Sequence, residues 1–411
     1  MMRCLVGVMQ PFDKMSAPAS SSKRSHGPAA HSADRLSSLP DPLLHLVMSF
    51  LPMREVVRTS LLSPRWRNLW ASVPFIHLDF KEFVDATADS FVIGVDDHDW
   101  LKLDENRLQK FGDHLLLLRD GAVPLDEARI FIGGADLSDK YDLWIHHAIK
   151  HKARLLHVYA HRFLRVEFND RSMIRSQHLK IIRLQEVTLT DTSLRPLNFY
   201  FPVLEHLELD CCIVNCVKNK ISSRSLQTIR ITCCEVFGDL EICAPNLNHL
   251  YILDPVFGGH AIVTRDLYSL VTASISLSAL ELYHGILDGL SRVTTLELHA
   301  PLLEKPTRER CLETCPVFSN LISLVLGEWC MASNFSPKLK YLTFKLRMDQ
   351  LRSCKAAERD RSPRGDSSLG GYPSIERTMI YCGKDDPRVS ALVKVLLPIV
   401  IPGGEISIKG H

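Results

Sequence analysis

Six cysteines crowded between positions 211 and 243 are the residues most able to do chemistry: Cys211, Cys212, Cys216, Cys233, Cys234 and Cys243 could offer thiolates to a zinc ion. Structural zinc sites usually bring their ligands in CxxC pairs, and the chain has none. His147 and His151 stand four apart, the spacing of a zinc-protease helix. Ala148 follows the first histidine where that chemistry needs a glutamate as general base. The acidic run Asp96, Asp97, His98, Asp99 has no partner at ligand spacing and reads as a solvated loop. No phosphate loop, dinucleotide fingerprint or GxSxG elbow occurs. The expectation is a chain with no catalytic, metal-binding or cofactor-binding residues.

The elements that carry these residues explain two of the cysteines. A Leu-x-x-Leu-x-Leu spacing recurs eight times, with aliphatic or aromatic substitutes. It runs through Leu179/Ile182/Leu184, Leu204/Leu207/Leu209, Leu226/Ile229/Ile231 and Leu247/Leu250/Ile252. It continues through Leu270/Ala273/Ile275, Val293/Leu296/Leu298, Leu321/Leu324/Leu326 and Leu339/Leu342/Phe344. Successive starts are 18 to 28 residues apart and average near 23, inside the roughly 20–29 of leucine-rich repeats. The last two positions of each triple are two apart and so share one face of a strand. A single such strand cannot bury that face, so the strands must stack into a parallel solenoid. Cys212 and Cys234 each fall eight positions after the first leucine of a triple, the slot leaving the strand where such repeats accept cysteine. Buried repeat thiols are therefore expected rather than metal ligands. Pro202, Pro245 and Pro337 stand just ahead of strands and fix the turns that lead in.

The bulk numbers agree with a protein of this kind. Of 411 residues, 46% are hydrophobic and 23% charged, and 49 basic against 47 acidic residues leave a net charge of +2. Nucleic-acid binding needs a concentrated positive field, so no nucleic-acid partner is expected. No apolar run approaches the ~18 residues of a membrane span, so no membrane partner is expected either. Twelve scattered cysteines lack the density of a secreted disulfide framework, which places the chain in the cytoplasm or nucleus. Residues 1–33 read as a disordered leader, 34–80 as a compact helical head and 81–125 as a linker with the first solenoid elements. The repeats fill 126–346, followed by a mobile loop at 347–371 and a C-terminal cap at 372–411. In that cap, Asp386 and Pro387 open a helix with Val389, Leu392, Val393 and Leu396 on one face, and Glu405 to Ile408 form a closing strand.

Within the head, Asp41 is the expected N-cap and Pro42 the first helical residue. Leu43, Val47, Phe50 and Leu51 then share one face, and Pro52 ends the helix. A second short helix carries Met53, Val56, Val57, Ser60 and Leu61. A third starts at Ser63 and Pro64 and presents Trp66, Leu69 and Trp70. Three helices this short hold more apolar surface than they can hide. The surplus fits a partner protein, or it fits packing on the neighbouring solenoid.

Asp34-Arg35-Leu36, Leu39-Pro40-Asp41, Phe50-Leu51-Pro52, Arg58-Thr59-Ser60, Leu62-Ser63-Pro64-Arg65-Trp66 and Leu69-Trp70 resemble the F-box of the plant F-box/leucine-rich-repeat family. Trp144-Ile145-His146-His147-Ala148 resembles that family's helix ahead of the repeats. Pro42 and Pro64 depart from the usual acidic and basic residues, both at first-turn positions that tolerate proline. A terminal FBD domain is only faintly recognisable, around Leu339 to Leu346 and Ile375 to Tyr381. The resemblance implies an α/β fold: a three-helix F-box, then a leucine-rich-repeat solenoid with a curved parallel sheet. It implies a non-catalytic, substrate-recognition subunit of an SCF-type cullin-RING ubiquitin ligase. Leu39, Pro40, Leu43, Val47, Leu51, Pro52, Trp66 and Trp70 would bind a Skp-type adaptor and through it a cullin. The alternative is a repeat scaffold whose F-box-like segment only caps the solenoid.

An unknown target protein would meet the residues that alternate with the buried ones on the repeat sheet. Those include Arg183, His206, Glu208, Arg230, His249, Tyr251, Glu297 and Tyr341, with Gln185, Asp210, Thr228, His299 and Lys345 beside them. The set is mixed in sign and carries aromatic anchors, the character of a protein-binding face.

Overall fold

The structure, a computed structural model, describes residues 36–83, 98–132, 138–160, 166–168, 173–190, 197–215, 219–257, 262–276, 286–299, 318–327, 338–346, 375–383, 386, 388–397 and 400–410. The leader, the 347–371 loop, Asp96, Asp97, Cys216 and Pro337 lie outside the described residues. Two compact units divide the chain between Val187 and Thr188.

The first unit opens with helix α1 (Asp41–Met48), helix α2 (Met53–Arg58) and the 3-10 turns Thr59–Leu61 and Trp66–Ser72. Asp41 is the first helical residue rather than the cap; Pro40 holds the cap position in extended backbone and no side chain caps the helix. The Asp41 carboxylate instead receives the Arg65 guanidinium at 2.7 Å. Arg65 also donates to the Leu39 carbonyl at 2.7 Å, which ties the start of α1 to the third helical segment. That segment begins at Trp66, three residues later than the Ser63 and Pro64 signal suggests, and is a 3-10 helix. The Ser63 hydroxyl sits 3.3 Å from that of Ser37.

Four parallel strands of one sheet follow in this unit: β1 (Phe75–Leu78), β2 (Glu127–Ile132), β3 (Leu155–Ala160) and β4 (Ile181–Gln185). Helices α3 (His98–Leu118) and α4 (Ser138–Lys150) lie between them in sequence and pack together. The Trp144 indole N–H donates to Asp113 at 3.0 Å. Gly112 makes this approach possible, because a Cβ there would lie 2.7 Å from the Trp144 ring.

The ladder thus begins earlier than the eight expected triples indicate. Val73/Ile76/Leu78, Leu125/Ala128/Ile130 and Ala153/Leu156/Val158 keep the same spacing with smaller or β-branched residues, and all nine are buried. The strand Phe75–Leu78 falls inside the span that composition assigns to the head.

The second unit opens with the short helix α5 (Leu197–Tyr200) and continues the pattern through β5 (His206–Asp210), β6 (Thr228–Thr232), β7 (His249–Leu253), β8 (Thr272–Ser276) and β9 (Thr295–His299). The ladder goes on through β10 (Ser323–Leu326), β11 (Tyr341–Lys345), β12 (Ile375–Cys382) and β13 (Val400–Gly410), every pair parallel. All twenty-four residues of the eight expected triples are at most 4% exposed, so the periodic positions are the core. Helix α6 (Arg388–Leu396) precedes β13; Leu396 is fully buried, while Val389, Leu392 and Val393 are half-buried.

The turns leaving three successive strands repeat one device. Cys211, Cys233 and Asp254 all have φ near +50°, the left-handed conformation that bends the chain sharply out of the sheet. Short parallel strands at Ile213–Asn215, Glu235–Phe237 and Val256–Phe257 then build a second ladder. A third runs through Asn219–Ser222, Leu240–Cys243 and Ile262–Arg265.

Candidate functional site

The head divides cleanly into a buried face and an open one. Leu44 and Met48 of α1, four apart, join Met53, Val56, Val57, Trp66, Leu69 and Trp70 in the core. The Trp66 indole N–H donates to the Ser37 hydroxyl at 2.9 Å. The other face of α1 and the turns beyond it are open: Leu43 is 48% exposed, Phe50 80% and Leu62 68%, and Leu36, Leu46, Val47 and Leu61 are exposed with them. Seven large apolar side chains open to solvent within 27 residues are far above the scattered exposure normal for a monomer surface. Ion pairs edge the module, Arg65 with Asp41 at 2.7 Å and Arg58 with Glu55 at 2.8 Å. An apolar centre with a polar rim is the anatomy of a protein interface.

Among the residues the family resemblance assigns to the adaptor, Leu43, Val47, Pro40 and Pro52 are exposed, and Leu39 and Leu51 are half-buried. Trp66 and Trp70 are each 4% exposed and hold the module together from inside. The adaptor set read from the sequence omits Leu36, Leu46, Phe50, Leu61 and Leu62, all of them exposed. Leu46 stands three after Leu43 on the same helix, and Phe50 and Leu61 keep helical spacing with the apolar residues before them, signals that were available; the turn residue Leu62 follows no period.

Further hydrogen bonds fix the head, from Glu82 and Tyr159 outside it and from Ser72 within it. Glu82 accepts from the Met53 and Arg54 amides at 3.0 and 2.9 Å, and burial pushes its carboxyl above the usual range. The Asp79 carboxylate accepts the Tyr159 hydroxyl of β3 at 3.0 Å. His45 of α1 meets the Ser72 hydroxyl at 3.1 Å.

In the second unit the outward side chains fall into rows, because neighbouring strands are in exact parallel register. His206, Thr228, His249, Thr272, Thr295, Ser323 and Tyr341 form one row. Glu208, Arg230, Tyr251, Ser274, Glu297 and Val325 form the next. The Arg230 guanidinium lies 4.3 Å from the Tyr251 ring centroid, and the His249 ring is parallel to that of Tyr251 at 6.5 Å. Glu297 is the hub of an internal network: His299 Nε2 at 2.8 Å, Lys345 Nζ at 2.6 Å and the Ser274 hydroxyl at 3.2 Å. The bonds from His299, first, and Lys345 hold its carboxyl down to about 2 against the opposing effect of burial. Arg183 belongs to the first unit, in a row with His77, Arg129 and His157.

The residues that suggested metal chemistry have structural places. Cys212 and Cys234 are fully buried, and their thiols donate to backbone carbonyls: Cys212 to Asp210, Cys234 to Leu209 and Thr232, at 3.4 to 3.5 Å. The His147 and His151 rings lie 4.1 Å apart. Burial, then the neighbouring His151, lowers His147 to about 4, so it is neutral near pH 7. Among the described residues no group of three or more His, Cys, Asp or Glu side chains is placed to hold a metal ion. Among them, too, no helix is long and apolar enough to cross a membrane.

Comparison with known proteins places the same two features together. The F-box domain family matches residues 36–78, the head and the first strand. An F-box/FBD/LRR-repeat protein of Arabidopsis thaliana is 30% identical over 59% of this chain and 57% of its own length. An FBD-associated F-box protein of Arabidopsis thaliana is 29% identical over 80% of each chain. A meiotic F-box protein of Oryza sativa subsp. japonica is 27% identical over 81% of this chain and 74% of its own.

Proposed function

We propose, from the premise that this chain carries an F-box and is similar over most of its length to plant F-box/leucine-rich-repeat proteins, that it is the substrate-recognition subunit of an SCF-type ubiquitin ligase. The head binds a Skp-type adaptor and through it a cullin, and the repeats hold a target protein. The chain performs no chemistry of its own and works in the cytoplasm or nucleus. The observation that supports this reading best is the open face of α1. Leu43 and Val47 of the helix, with Phe50 in the turn just beyond it, are exposed while Leu44 and Met48 are packed, so the head has a core and still offers an apolar surface. A segment that served only to cap the solenoid would present a polar outer face.

The test is co-purification of the full chain with a Skp-type adaptor, using Leu43→Glu, Val47→Glu and Phe50→Glu together. The triple variant keeps its melting temperature and loses the adaptor. If it binds the adaptor as well as the parent does, the assigned face is wrong. If the parent binds none, the chain is a free-standing scaffold.

A further inference from the structure

We infer that Arg230, lying on the ring of Tyr251, is the docking point for a single carboxylate side chain of the target protein. This rests on the reading that the repeats hold a target, and narrows it to one position and one chemistry.

Three other cations of the second unit are already occupied. Lys345 is bonded to Glu297 at 2.6 Å, Lys340 to Glu376 at 2.8 Å and Arg377 to Glu405 at 3.3 Å. Arg230 has no carboxylate within ion-pair reach among the described residues; its close contact is the Tyr251 ring at 4.3 Å. A guanidinium held against an aromatic face keeps its N–H edge free in a fixed plane, the geometry that grips a carboxylate with two parallel bonds. Because the ring already restricts the side chain, less entropy is lost when an anion binds.

The surroundings select for one negative charge. The outward positions of β6, β7 and β8 hold no acidic side chain. Thr228, His249 and Thr272 make the adjoining row and add hydrogen-bonding groups. On the other side, Glu208 stands in register with Arg230, and Asp210 lies two residues beyond it. Those acids repel a run of negative charge while leaving room for a lone carboxylate approaching from the Tyr251 side. Lys409 also faces a tyrosine, Tyr381, but at 5.9 Å and on the last strand, without such a frame.

The experiment uses the full chain bound to its adaptor, challenged with three pools of seven-residue peptides with randomised flanks and a fixed central Glu, Gln or Lys. The Glu pool is expected to be retained several-fold above the Gln and Lys pools, and Arg230→Gln abolishes that preference without changing the melting temperature. Tyr251→Leu weakens it by loosening the guanidinium. Equal retention of the Glu and Gln pools, or a Glu preference that survives Arg230→Gln, overturns the inference. Adaptor binding is scored in the same samples, so a failure of the ligase reading shows separately from a failure at Arg230.

Discussion

Glu82 closes the helix of Arg54 from 28 residues away: its carboxylate accepts the Arg54 amide at 2.9 Å, and the Arg54 guanidinium donates back to the Glu82 carbonyl at 2.5 Å. Helix α2 follows a proline that offers no capping side chain, so its first amides need an acceptor from elsewhere. Replacing such an acceptor typically costs about 1–2 kcal/mol, with charge-assisted bonds at the upper end. Glu82→Ala is therefore expected to lower head stability by about that amount in urea denaturation followed by tryptophan fluorescence. Glu82→Gln, which keeps one acceptor oxygen, falls between. An unchanged midpoint in Glu82→Ala would mean that water caps the helix equally well.

The contrast between Glu82 and the repeat leucines shows what a sequence of this kind reveals. Leu207 and Leu209 announce a buried strand because parity on a strand is enforced every second residue, and stacking repeats the constraint eight times. The upstream triples Val73/Ile76/Leu78 and Ala153/Leu156/Val158 obey the same parity, yet valine and alanine blur the leucine signature. Glu82 gives no signal at all, since the amides it caps are set by tertiary approach. The same holds on the sheet. Alternation places Arg230 and Glu297 outward alike, but only the fold shows Glu297 held by Lys345 from two strands away while Arg230 rests on Tyr251.

Trp66 offers a control for the adaptor surface. It is buried and bonded to Ser37, so Trp66→Ala opens a cavity and is expected to cost about 3–5 kcal/mol. Adaptor binding should fall together with the melting temperature. In the Leu43, Val47 and Phe50 variants, by contrast, binding falls alone. If Trp66→Ala lost the adaptor at an unchanged melting temperature, Trp66 would be a contact residue.

Two histidines of the first unit give it an acid sensitivity of known direction. Burial lowers both His77 and His147 to about 4 from an ordinary 6.5. Glu127 and Asp79 oppose the shift at His77 while Arg129 adds to it; His151, Arg119 and Lys150 add to it at His147. Between these values the unfolded chain binds the proton more tightly, so stability falls as pH drops from 6.5 towards 4. Denaturation midpoints measured across that window should flatten in a His77→Gln, His147→Gln double variant. A parent and a double variant with parallel profiles would show that neither ring is neutral in the fold.

Glu297 acts in a lower window. Its carboxyl is held near 2 against an ordinary 4.5, so its contribution is complete above 4.5 and is lost as pH falls towards 2. Gly327 keeps the network open, because a Cβ there would lie 2.7 Å from His299 Nδ1. Gly327→Val should displace His299 and weaken the hold on Glu297, shrinking the loss of stability between pH 4.5 and 2. Glu297→Gln should remove this group's share of the loss altogether. Identical acid profiles in parent and Glu297→Gln would dissolve the hub.

Thr378 occupies a core slot that the other repeats give to apolar side chains. It pairs in register with Leu342, is fully buried and sits between Ile375 and Ile380 in the repeat spacing. Its hydroxyl has no hydrogen-bond partner among the described residues. A hydroxyl stranded in an apolar site costs about 1–3 kcal/mol by mutational comparison, and valine fills almost the same volume. Thr378→Val is thus expected to stabilise the second unit by about 1 kcal/mol in equilibrium denaturation. Thr378→Ser, which keeps the hydroxyl and loses a methyl group, should destabilise it. A valine variant less stable than the parent would show that the hydroxyl is bonded in solution, and that the slot is polar by requirement.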